Sequence, residues 1–363
     1  MDGIELTDGG FFCELNGVRH FVRTPRLDDA RRIASDGAGG GQGAAACACD
    51  EQDVAIAGDG DAVIAGDGGA AVAGEGSAAE IGVRGAAVAD GPCAVRAGTA
   101  TPLVLLHGFM QDSRAWGARL LEELSQDRPV YTLDFAGFGR SDAPAGALAY
   151  RAEETVAAVR DLVELVGADG RAHLMGYSMG GRVALMFATA HPDRASSLVL
   201  ESAGLGPETP EARAALNARD AAWVERLRTG SIEAFVDYWE GLPLFASQQG
   251  MDDEARALLR QVRLSCDPAV LARCIQGSGQ HAMPSLTDAV RRLRMPILYA
   301  AGMADEKYTK VAVKLAARGC AVCTLMPCGH NVHLERPAML CGHVRPFLAL
   351  CDARGCSAAG ARE

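Results

Sequence analysis

The sequence has few aromatic residues, no long apolar run and no excess of positive charge. Aromatic residues make up 5 % of the 363 residues, whereas glycine and alanine are abundant, so part of the chain is expected to lie outside a hydrophobic core. No stretch reaches roughly 18 uninterrupted apolar residues, so we expect no membrane span. The formal charge of −11 argues against nucleic acid or an anionic membrane surface as the main partner. An anionic substrate stays compatible with it, because a local arginine cluster can outweigh the global charge.

The sequence also lacks a secretory signal at its start. Residues 1–5 have neither the basic start nor the apolar run of a signal peptide. We therefore expect a cytoplasmic protein whose 12 cysteines are thiols rather than disulfides. Cys320 and Cys323, with Cys328 and Cys341, invite a zinc interpretation, but most of this segment covers a predicted strand and its exit, where buried cysteine is common. We expect neither a metal nor a cofactor.

The N-terminal region, residues 1–33, is predicted to contribute a β-hairpin to the core. Apolar positions from Phe11 to Val22 flank Asn16-Gly17, the dipeptide that best adopts the positive φ angles of a tight hairpin turn. The composition changes in residues 34–100, which are mostly Gly, Ala and Asp and carry an imperfect eight-residue repeat. A glycine-rich solenoid or calcium site is one interpretation. The short repeats lack aromatic residues and paired acids, so we interpret the segment as a largely disordered insertion.

From residue 101 onward, short apolar strands alternate with helical stretches. Continuous apolar runs are typical of strands buried on both faces, and the alternation predicts a mostly parallel sheet with helices on both faces. The predicted strands are Leu103–Leu106, Val130–Leu133, His173–Tyr177, Ser197–Leu200, Pro296–Ala300 and Ala321–Leu325.

Residues 207–290 interrupt this alternation with helical patterns only. Thr209-Pro210 is typical of a helix start, an N-cap followed by proline at the first helical position, and Ser231 and Asp267 begin further helices. An all-helical insertion before the penultimate strand would lie over the carboxyl ends of the strands, where open α/β sheets bind ligands. We interpret it as a cap. The predicted organisation is then core (101–206), cap (207–290), core (291–350) and tail (351–363).

A candidate nucleophile, Ser178, lies in Gly176-Tyr177-Ser178-Met179-Gly180. A predicted strand enters this motif and a predicted helix leaves it, which is the context that an α/β-hydrolase nucleophile requires. The glycines leave room for a strained turn that raises the serine hydroxyl above the sheet. The start of the helix also favours developing negative charge.

The serine needs a base, and the base needs a group that orients it. In this architecture the acid and then the histidine follow the serine along the chain, at strand ends. Asp305 follows the fifth predicted strand and His330 the sixth, so we predict that Asp305 orients His330 and His330 takes the serine proton. His333 and Glu201 are the competing histidine and acid.

Two backbone N–H groups are expected to form an oxyanion hole. One belongs to Met179, directly after the serine, and the other to the loop after the first predicted strand, with Phe109 the favoured residue. His107 begins that loop and is expected to shape it rather than to react.

Several cations and aromatic residues are candidates for substrate binding. Arg182 is one helical turn past the serine and can face the same opening. Arg213, Arg219 and Arg263 lie in the predicted cap. Aromatic candidates for an apolar wall are Trp239 and Phe245, with Tyr238.

Motifs along residues 101–350, with the leading hairpin, match one known family. They are His107-Gly108-Phe109-Met110 through Trp116, Asp134–Ser141, Gly176–Arg182, Glu201-Ser202-Ala203, Trp239 with Leu242–Phe245, Arg263-Leu264 before Asp267-Pro268, Gly277-Ser278-Gly279, Asp305–Tyr308 and Gly329–His333. With them the chain resembles the MenH family, the 2-succinyl-6-hydroxy-2,4-cyclohexadiene-1-carboxylate (SHCHC) synthases of menaquinone (vitamin K2) biosynthesis, which have an α/β-hydrolase fold. The glycine–serine motif with Arg182, the Trp239 segment and Gly-His-Asn-x-His carry most of the specificity.

The resemblance implies a carbon–oxygen lyase rather than a hydrolase. The expected reaction eliminates pyruvate from 2-succinyl-5-enolpyruvyl-6-hydroxy-3-cyclohexene-1-carboxylate, with Ser178, activated by His330 and Asp305, as the base that removes a ring proton. The implied partner is a small polycarboxylate, and the implied assembly a monomer or small homo-oligomer. The implied substrate-binding residues are Tyr177, Arg182, Arg213, Arg219, Trp239, Arg263 and Lys307.

The sequence departs from the family pattern in three places. The family usually has another cap arginine where this chain has Leu216, and either Arg213 or Arg219 is close enough to substitute. Phe138 replaces a frequent histidine, and the insertion 34–100 is not a family feature. A serine hydrolase acting on esters, thioesters or C–C bonds would use the same triad, so it stays as the alternative; the cap arginines and Trp239 favour the lyase.

Overall fold

The computed structural model describes residues 4–38, 79–81 and 100–359. Its strands form one sheet in the order β1-β2-β3-β6-β5-β7-β8-β9-β10-β4. The strands are β1 (Glu5–Thr7), β2 (Gly10–Leu15), β3 (Val18–Arg23), β4 (Ala79–Ile81), β5 (Leu103–Leu106), β6 (Val130–Leu133), β7 (Ala172–Tyr177), β8 (Ala195–Glu201), β9 (Ile297–Gly302) and β10 (Val322–Met326).

The six central strands, from β6 through β10 in that order, are parallel, which confirms the predicted sheet type. The N-terminal strands are antiparallel, and β3 joins them to β6. The turn between β2 and β3 has positive φ at both Asn16 (49°) and Gly17 (75°), as the Asn-Gly pair predicts. The sheet therefore places the carboxyl ends of its parallel strands along one edge.

Helices cover both faces of this sheet. They are α1 (Leu27–Ala38), α2 (Ala118–Leu124), α3 (Ala152–Val166), α4 (Met179–Ala190), α5 (Pro210–Thr229), α6 (Ile232–Glu240), α7 (Asp253–Leu264), α8 (Pro268–Ser278), α9 (Thr287–Val290), α10 (Glu306–Ala317), α11 (Val332–Glu335) and α12 (Pro337–Ala359). No helix in the described ranges is long and apolar enough to cross a membrane.

Alternation along β5 shows how the sheet separates two apolar layers. Leu103 and Leu105 belong to one layer, together with side chains from α2 and α12. Val104 and Leu106 belong to the other, with side chains from α3 and α4. All four are fully buried, and burial of each stabilises the fold by roughly 1.5–3 kcal/mol. Such rigid strands give the residues at their ends fixed positions.

Within the segment 34–100, which is predicted to be a largely disordered insertion, the structure describes residues 34–38, 79–81 and 100. Residues 34–38 complete α1, and β4 pairs antiparallel with the edge strand β10. Edge pairing uses backbone N–H and C=O groups, so a composition of small residues does not prevent it. The eight-residue repeats themselves lie outside the described residues.

Helices α5 to α9, with a 3₁₀ helix at Pro243–Gly250, occupy the chain between β8 and β9. The first begins as its sequence predicts: the Thr209 hydroxyl accepts a hydrogen bond from Ala212 N, and Pro210 occupies the first helical position. We propose that these helices form a cap, and use that name for residues 207–290.

Candidate active site

The loop between β7 and α4 holds Ser178 in a strained conformation. Its φ of 48° and ψ of −100° are rarely adopted by a residue with a side chain. Gly176 and Gly180 make the turn sterically possible. A Cβ on Gly180 would lie 1.9 Å from the Leu106 carbonyl oxygen, and one on Gly176 would lie 2.4 Å from the Gly180 backbone. The turn raises the serine hydroxyl into a cleft at the carboxyl edge of the sheet.

His330 and Asp305 meet Ser178 in this cleft. His330 Nε2 lies 3.1 Å from the serine Oγ, and His330 Nδ1 lies 2.6 Å from Asp305 Oδ2. Both side chains are almost completely buried. Asp305 follows β9 and caps α10, while His330 follows β10, so three separate strand ends position the three groups. This geometry allows a proton to pass from the serine hydroxyl to an imidazole that a carboxylate orients.

The competing histidine and acid form a separate pair. His333 donates its backbone N–H to Glu201 Oε1, 3.0 Å away, and its Nδ1 lies 2.7 Å from the same oxygen. The His333 ring lies between the rings of Trp116 and Tyr177. The side chains of His333 and Glu201 are buried and paired with each other, and it is His330 Nε2 that lies within hydrogen-bonding distance of the Ser178 hydroxyl.

The proposed oxyanion-hole residues both line the cleft. Met179 is the first residue of α4, where backbone N–H groups have no partner within the helix. Phe109 lies opposite, in the loop after β5. Gly108 lets this loop approach closely, because a Cβ there would lie 2.4 Å from the Tyr177 ring.

His107 supports that loop as a neutral imidazole. Its Nδ1 donates to the Gly108 carbonyl at 2.8 Å, and its Nε2 accepts from Phe135 N at 3.1 Å. Burial lowers the pKa of His107 from 6.5 to about 4. The imidazole therefore ties two loops together through its uncharged form.

This shift predicts a loss of stability in acid. The unfolded chain takes up the His107 proton below pH 6.5, and the folded protein only near pH 4, so the contribution is complete above pH 6.5 and is lost between those values. Its size is on the order of 3 kcal/mol. We expect the urea-unfolding free energy of the wild type to fall more steeply from pH 7 to pH 4 than that of His107→Asn. Equal slopes would contradict the assignment.

The cleft has a volume of ≈ 750 Å³, including its open mouth. Sheet loops form its floor and cap residues its walls. The predicted site residues along it are Phe109, Tyr177, Ser178, Met179, Arg182, Arg219, Trp239, Phe245, Arg263, Lys307 and His330.

Two of the four cations in the cleft have no carboxylate partner among the described residues. The half-buried Arg182 donates to the Ser278 carbonyl at 3.0 Å, and burial lowers the pKa of its guanidinium. Lys307 donates to Gln280 Oε1 at 3.2 Å. At both positions a bound carboxylate would therefore contact a cation whose charge no other carboxylate neutralises.

The other two cations are already paired. Arg263 is 3.0 Å from Glu240 Oε1 and donates to Gln248 Oε1. Arg219 is 2.6 Å from Asp220 Oδ1. These contacts fix the position of each guanidinium before any ligand binds. They also reduce the net charge of each pair compared with a free cation.

Arg213 does not reach the cleft, contrary to the sequence-based expectation. Its guanidinium donates to the carbonyls of His281 and Met283, which connect α8 and α9. Since Arg219 lines the cleft, Arg219 is the cap arginine that the structure brings to the site. Tyr238 does not line the cleft either; its hydroxyl accepts a hydrogen bond from Nε1 of Trp223, which does.

Several lining residues were not predicted as site residues from the sequence. Asp220 and Trp223 face the cleft beside Arg219, one helical turn apart on α5. Tyr308 packs against the His330 ring with centroids 4.9 Å apart. Spacing from Arg219 could have suggested Trp223, but only the packing of α5 shows which helix face points inward. In the described ranges, no cluster of His, Cys, Asp and Glu could hold a metal ion.

Proteins of a known family match most of this chain. The model of the Alpha/beta hydrolase family matches residues 103–342. A Bacillus subtilis (strain 168) protein, provisionally named 2-succinyl-6-hydroxy-2,4-cyclohexadiene-1-carboxylate synthase, is 34 % identical over 269 residues, which cover 74 % of this chain and 95 % of that protein. The chain belongs to the SHCHC synthase family of α/β hydrolases.

Other SHCHC synthases and solved structures extend the comparison. The enzyme of that name from Enterobacter sp. (strain 638) is 31 % identical over 257 residues, covering 68 % of this chain and 92 % of the enzyme. The structure of MenH from S. aureus superposes with a TM-score of 0.67 at 31 % identity, covering 71 % of this chain and 96 % of that one. A thermophilic esterase from Thermogutta terrifontis superposes with a TM-score of 0.59 at 27 % identity, covering 70 % and 92 %.

Proposed function

We propose that the protein eliminates pyruvate from 2-succinyl-5-enolpyruvyl-6-hydroxy-3-cyclohexene-1-carboxylate to give SHCHC in menaquinone biosynthesis. It is a carbon–oxygen lyase with an α/β-hydrolase fold. One observation carries the proposal: the hydrogen-bonded series Ser178–His330–Asp305 opens into a cleft that offers the unpaired cations Arg182 and Lys307. A substrate with several carboxylates suits such a cleft.

In this mechanism the hydroxyl of Ser178 acts as the base. Its Oγ takes the ring proton while its own proton passes to His330 Nε2. The pair of the C–H bond at ring carbon 2 becomes the 2,3 double bond, the pair of the existing 3,4 double bond moves to the 4,5 position, and the C–O bond at ring carbon 5 breaks, with its pair leaving on the enolpyruvyl oxygen. The leaving enolate is protonated to pyruvate, which restores the neutral His330. Asp305 orients the imidazole and stabilises its protonated form.

The other lining residues bind and orient the substrate. The N–H groups of Phe109 and Met179 face the negative charge that develops as the proton leaves. The guanidinium and ammonium groups bind carboxylates, and Trp239 with Tyr177 gives the ring an apolar surface. The cation set is Arg182, Arg219, Arg263 and Lys307.

A serine hydrolase is the second candidate. The Thermogutta esterase shares the fold, and a strained serine beside a histidine is also the nucleophile arrangement of ester hydrolysis. In that reaction Ser178 would carry an acyl group. The two candidates differ in whether the cleft cations serve the main reaction.

Parallel assays separate the two candidates. Purified protein would be given the enolpyruvyl cyclohexene substrate, with pyruvate measured by a coupled dehydrogenase, and separately p-nitrophenyl esters. The proposal predicts pyruvate release with a kcat/KM far above that for any ester. Ready ester turnover without pyruvate would establish the hydrolase instead.

Arg182→Gln tests the recognition of carboxylates. A charge-assisted hydrogen bond contributes about 1.5–3 kcal/mol, so we expect kcat/KM for pyruvate release to fall about 10- to 100-fold. Arg256→Gln, in the exposed outer part of the cap, is the matched control and should keep its activity. A change within about twofold for Arg182→Gln would show that this guanidinium does not bind the substrate.

We further propose that the enzyme acts in the cytoplasm on this small-molecule polycarboxylate, as a monomer or small homo-oligomer.

A further inference from the structure

The loop that carries His330, residues 327–331, is held by a carboxylate outside the triad. Glu335 Oε2 accepts the backbone N–H of Gly329 at 2.9 Å, and Glu335 Oε1 accepts that of Asn331 at 3.3 Å. These two N–H groups flank His330 on both sides. One half-buried side chain therefore fixes the backbone immediately before and after the histidine.

This arrangement goes beyond an ordinary helix cap. Asn331 precedes α11, and a glutamate that reaches back to a cap residue's N–H is a common way to stabilise a helix start. Such a cap would not involve Gly329, which lies two residues further upstream. The hydrogen bond from the Gly329 N–H to Glu335 therefore closes the loop around His330 instead of extending the helix.

The same carboxylate also contacts the cap. Ser247, in the 3₁₀ helix at Pro243–Gly250, donates its hydroxyl to Glu335 Oε1 at 3.1 Å. A Cβ on Gly329 would lie 1.8 Å from the Ser247 hydroxyl, so the missing side chain lets the cap rest on the loop. Phe245, two residues earlier, packs its ring against that of His330 with centroids 5.8 Å apart.

We propose that Glu335 is a positioning residue for His330 and that Ser247 connects it to the cap. Nε2 of His330 must stay within hydrogen-bonding distance of the Ser178 hydroxyl in order to accept its proton. The two hydrogen bonds from backbone N–H groups to Glu335 fix the backbone on which that alignment depends. Seating of the cap on Ser247 and Phe245 adds a further constraint to the same loop.

Glu335→Gln is the direct test, because glutamine has one acceptor oxygen and presents an N–H₂ group to the other backbone N–H. The inference rests on the proposed use of His330 as a base, so the readout should not depend on the lyase substrate. Diisopropyl fluorophosphate provides it: the Ser178 Oγ–P bond forms, the P–F bond breaks, fluoride leaves, and the serine proton passes to His330.

A displacement near 1 Å costs about 10²-fold in rate, so we expect the Glu335→Gln labelling rate to fall at least about tenfold. The kcat for pyruvate release should fall by a similar factor with little change in KM. The melting temperature should stay close to that of the wild type. Glu254→Gln, which removes an exposed cap carboxylate, should match the wild type in all three measurements.

Unchanged labelling in folded Glu335→Gln would overturn the inference. If that variant does not fold, Glu335→Asp decides: it keeps the charge but is too short to reach both N–H groups, so slow labelling supports the inference and a wild-type rate overturns it. Slow labelling in the variant, together with absence of pyruvate release even from the wild type, would leave this inference standing while refuting the proposed lyase.

Discussion

Ser178→Ala is expected to lower the kcat for pyruvate release by several orders of magnitude. The substitution removes the hydroxyl oxygen that lies 3.1 Å from His330 Nε2, in a residue that lines the cleft. Loss of a serine that acts as a unit with its histidine costs up to about 10⁶-fold in a well-studied protease, and we expect about 10³-fold or more here. The measurement is pyruvate release under single turnover, with binding measured separately.

Ser202→Ala is a close control for this variant. Ser202 directly follows β8 as Ser178 directly follows β7, and its φ is 47° against 48°. It is buried, and its hydroxyl has no hydrogen-bond partner in the described structure. Both variants place alanine where serine already has a positive φ, so the two substitutions are matched in this respect. Equal losses in the two variants would indicate a folding effect and contradict the role of Ser178.

Asp305→Asn is expected to give the second large effect. Asparagine keeps the shape but not the charge that favours a protonated His330, and its N–H₂ group can impose the wrong imidazole tautomer. The corresponding aspartate-to-asparagine change in trypsin lowers kcat by about 10⁴-fold, and a loss of about 10³- to 10⁴-fold is expected here.

The kcat of Asp305→Asn, compared with that of a matched surface variant, provides the readout. Asp288→Asn, in the exposed first turn of α9, should retain the wild-type rate. Wild-type turnover by Asp305→Asn would assign the acid to another residue. Glu201 is a poor substitute, because its Oε1 is already hydrogen-bonded to His333.

The hydrogen-bonded arrangement of Ser178, His330 and Asp305 could be predicted because its signals are local. Each member lies at the end of an apolar strand, and parallel strands place those ends on one edge of the sheet. The strand signal favoured His330, which directly follows the sixth predicted strand, over His333, three residues further along. The choice depends on the route of the loop after β10, which turns His330 to the serine and His333 to Glu201.

The cap was predictable as helices but not as a binding wall. Arg213 and Arg219 are six residues apart on α5, and sequence spacing alone does not say which one faces inward. Packing of α5 decides this: Arg219 lines the cleft, and Arg213 instead donates to connecting carbonyls. Glu335 was missed for a similar reason, since its two backbone partners become visible only once the loop is folded.

The pairing of β4 with β10 could not be predicted either. Ala79–Ile81 has no strand signature within its glycine- and alanine-rich surroundings, and the register depends on backbone groups of an exposed edge. Side-chain patterns carry no information about such a contact.

The central claim is that Ser178 relays a ring proton without carrying a covalent intermediate. Its most direct test uses the enolpyruvyl substrate deuterated at the ring position that loses its proton, with single-turnover pyruvate release and intact-protein mass recorded on the same samples. We predict a primary isotope effect on pyruvate release and an unmodified protein mass throughout. Pyruvate release without an isotope effect, accompanied by a substrate-derived mass on Ser178, would contradict the account.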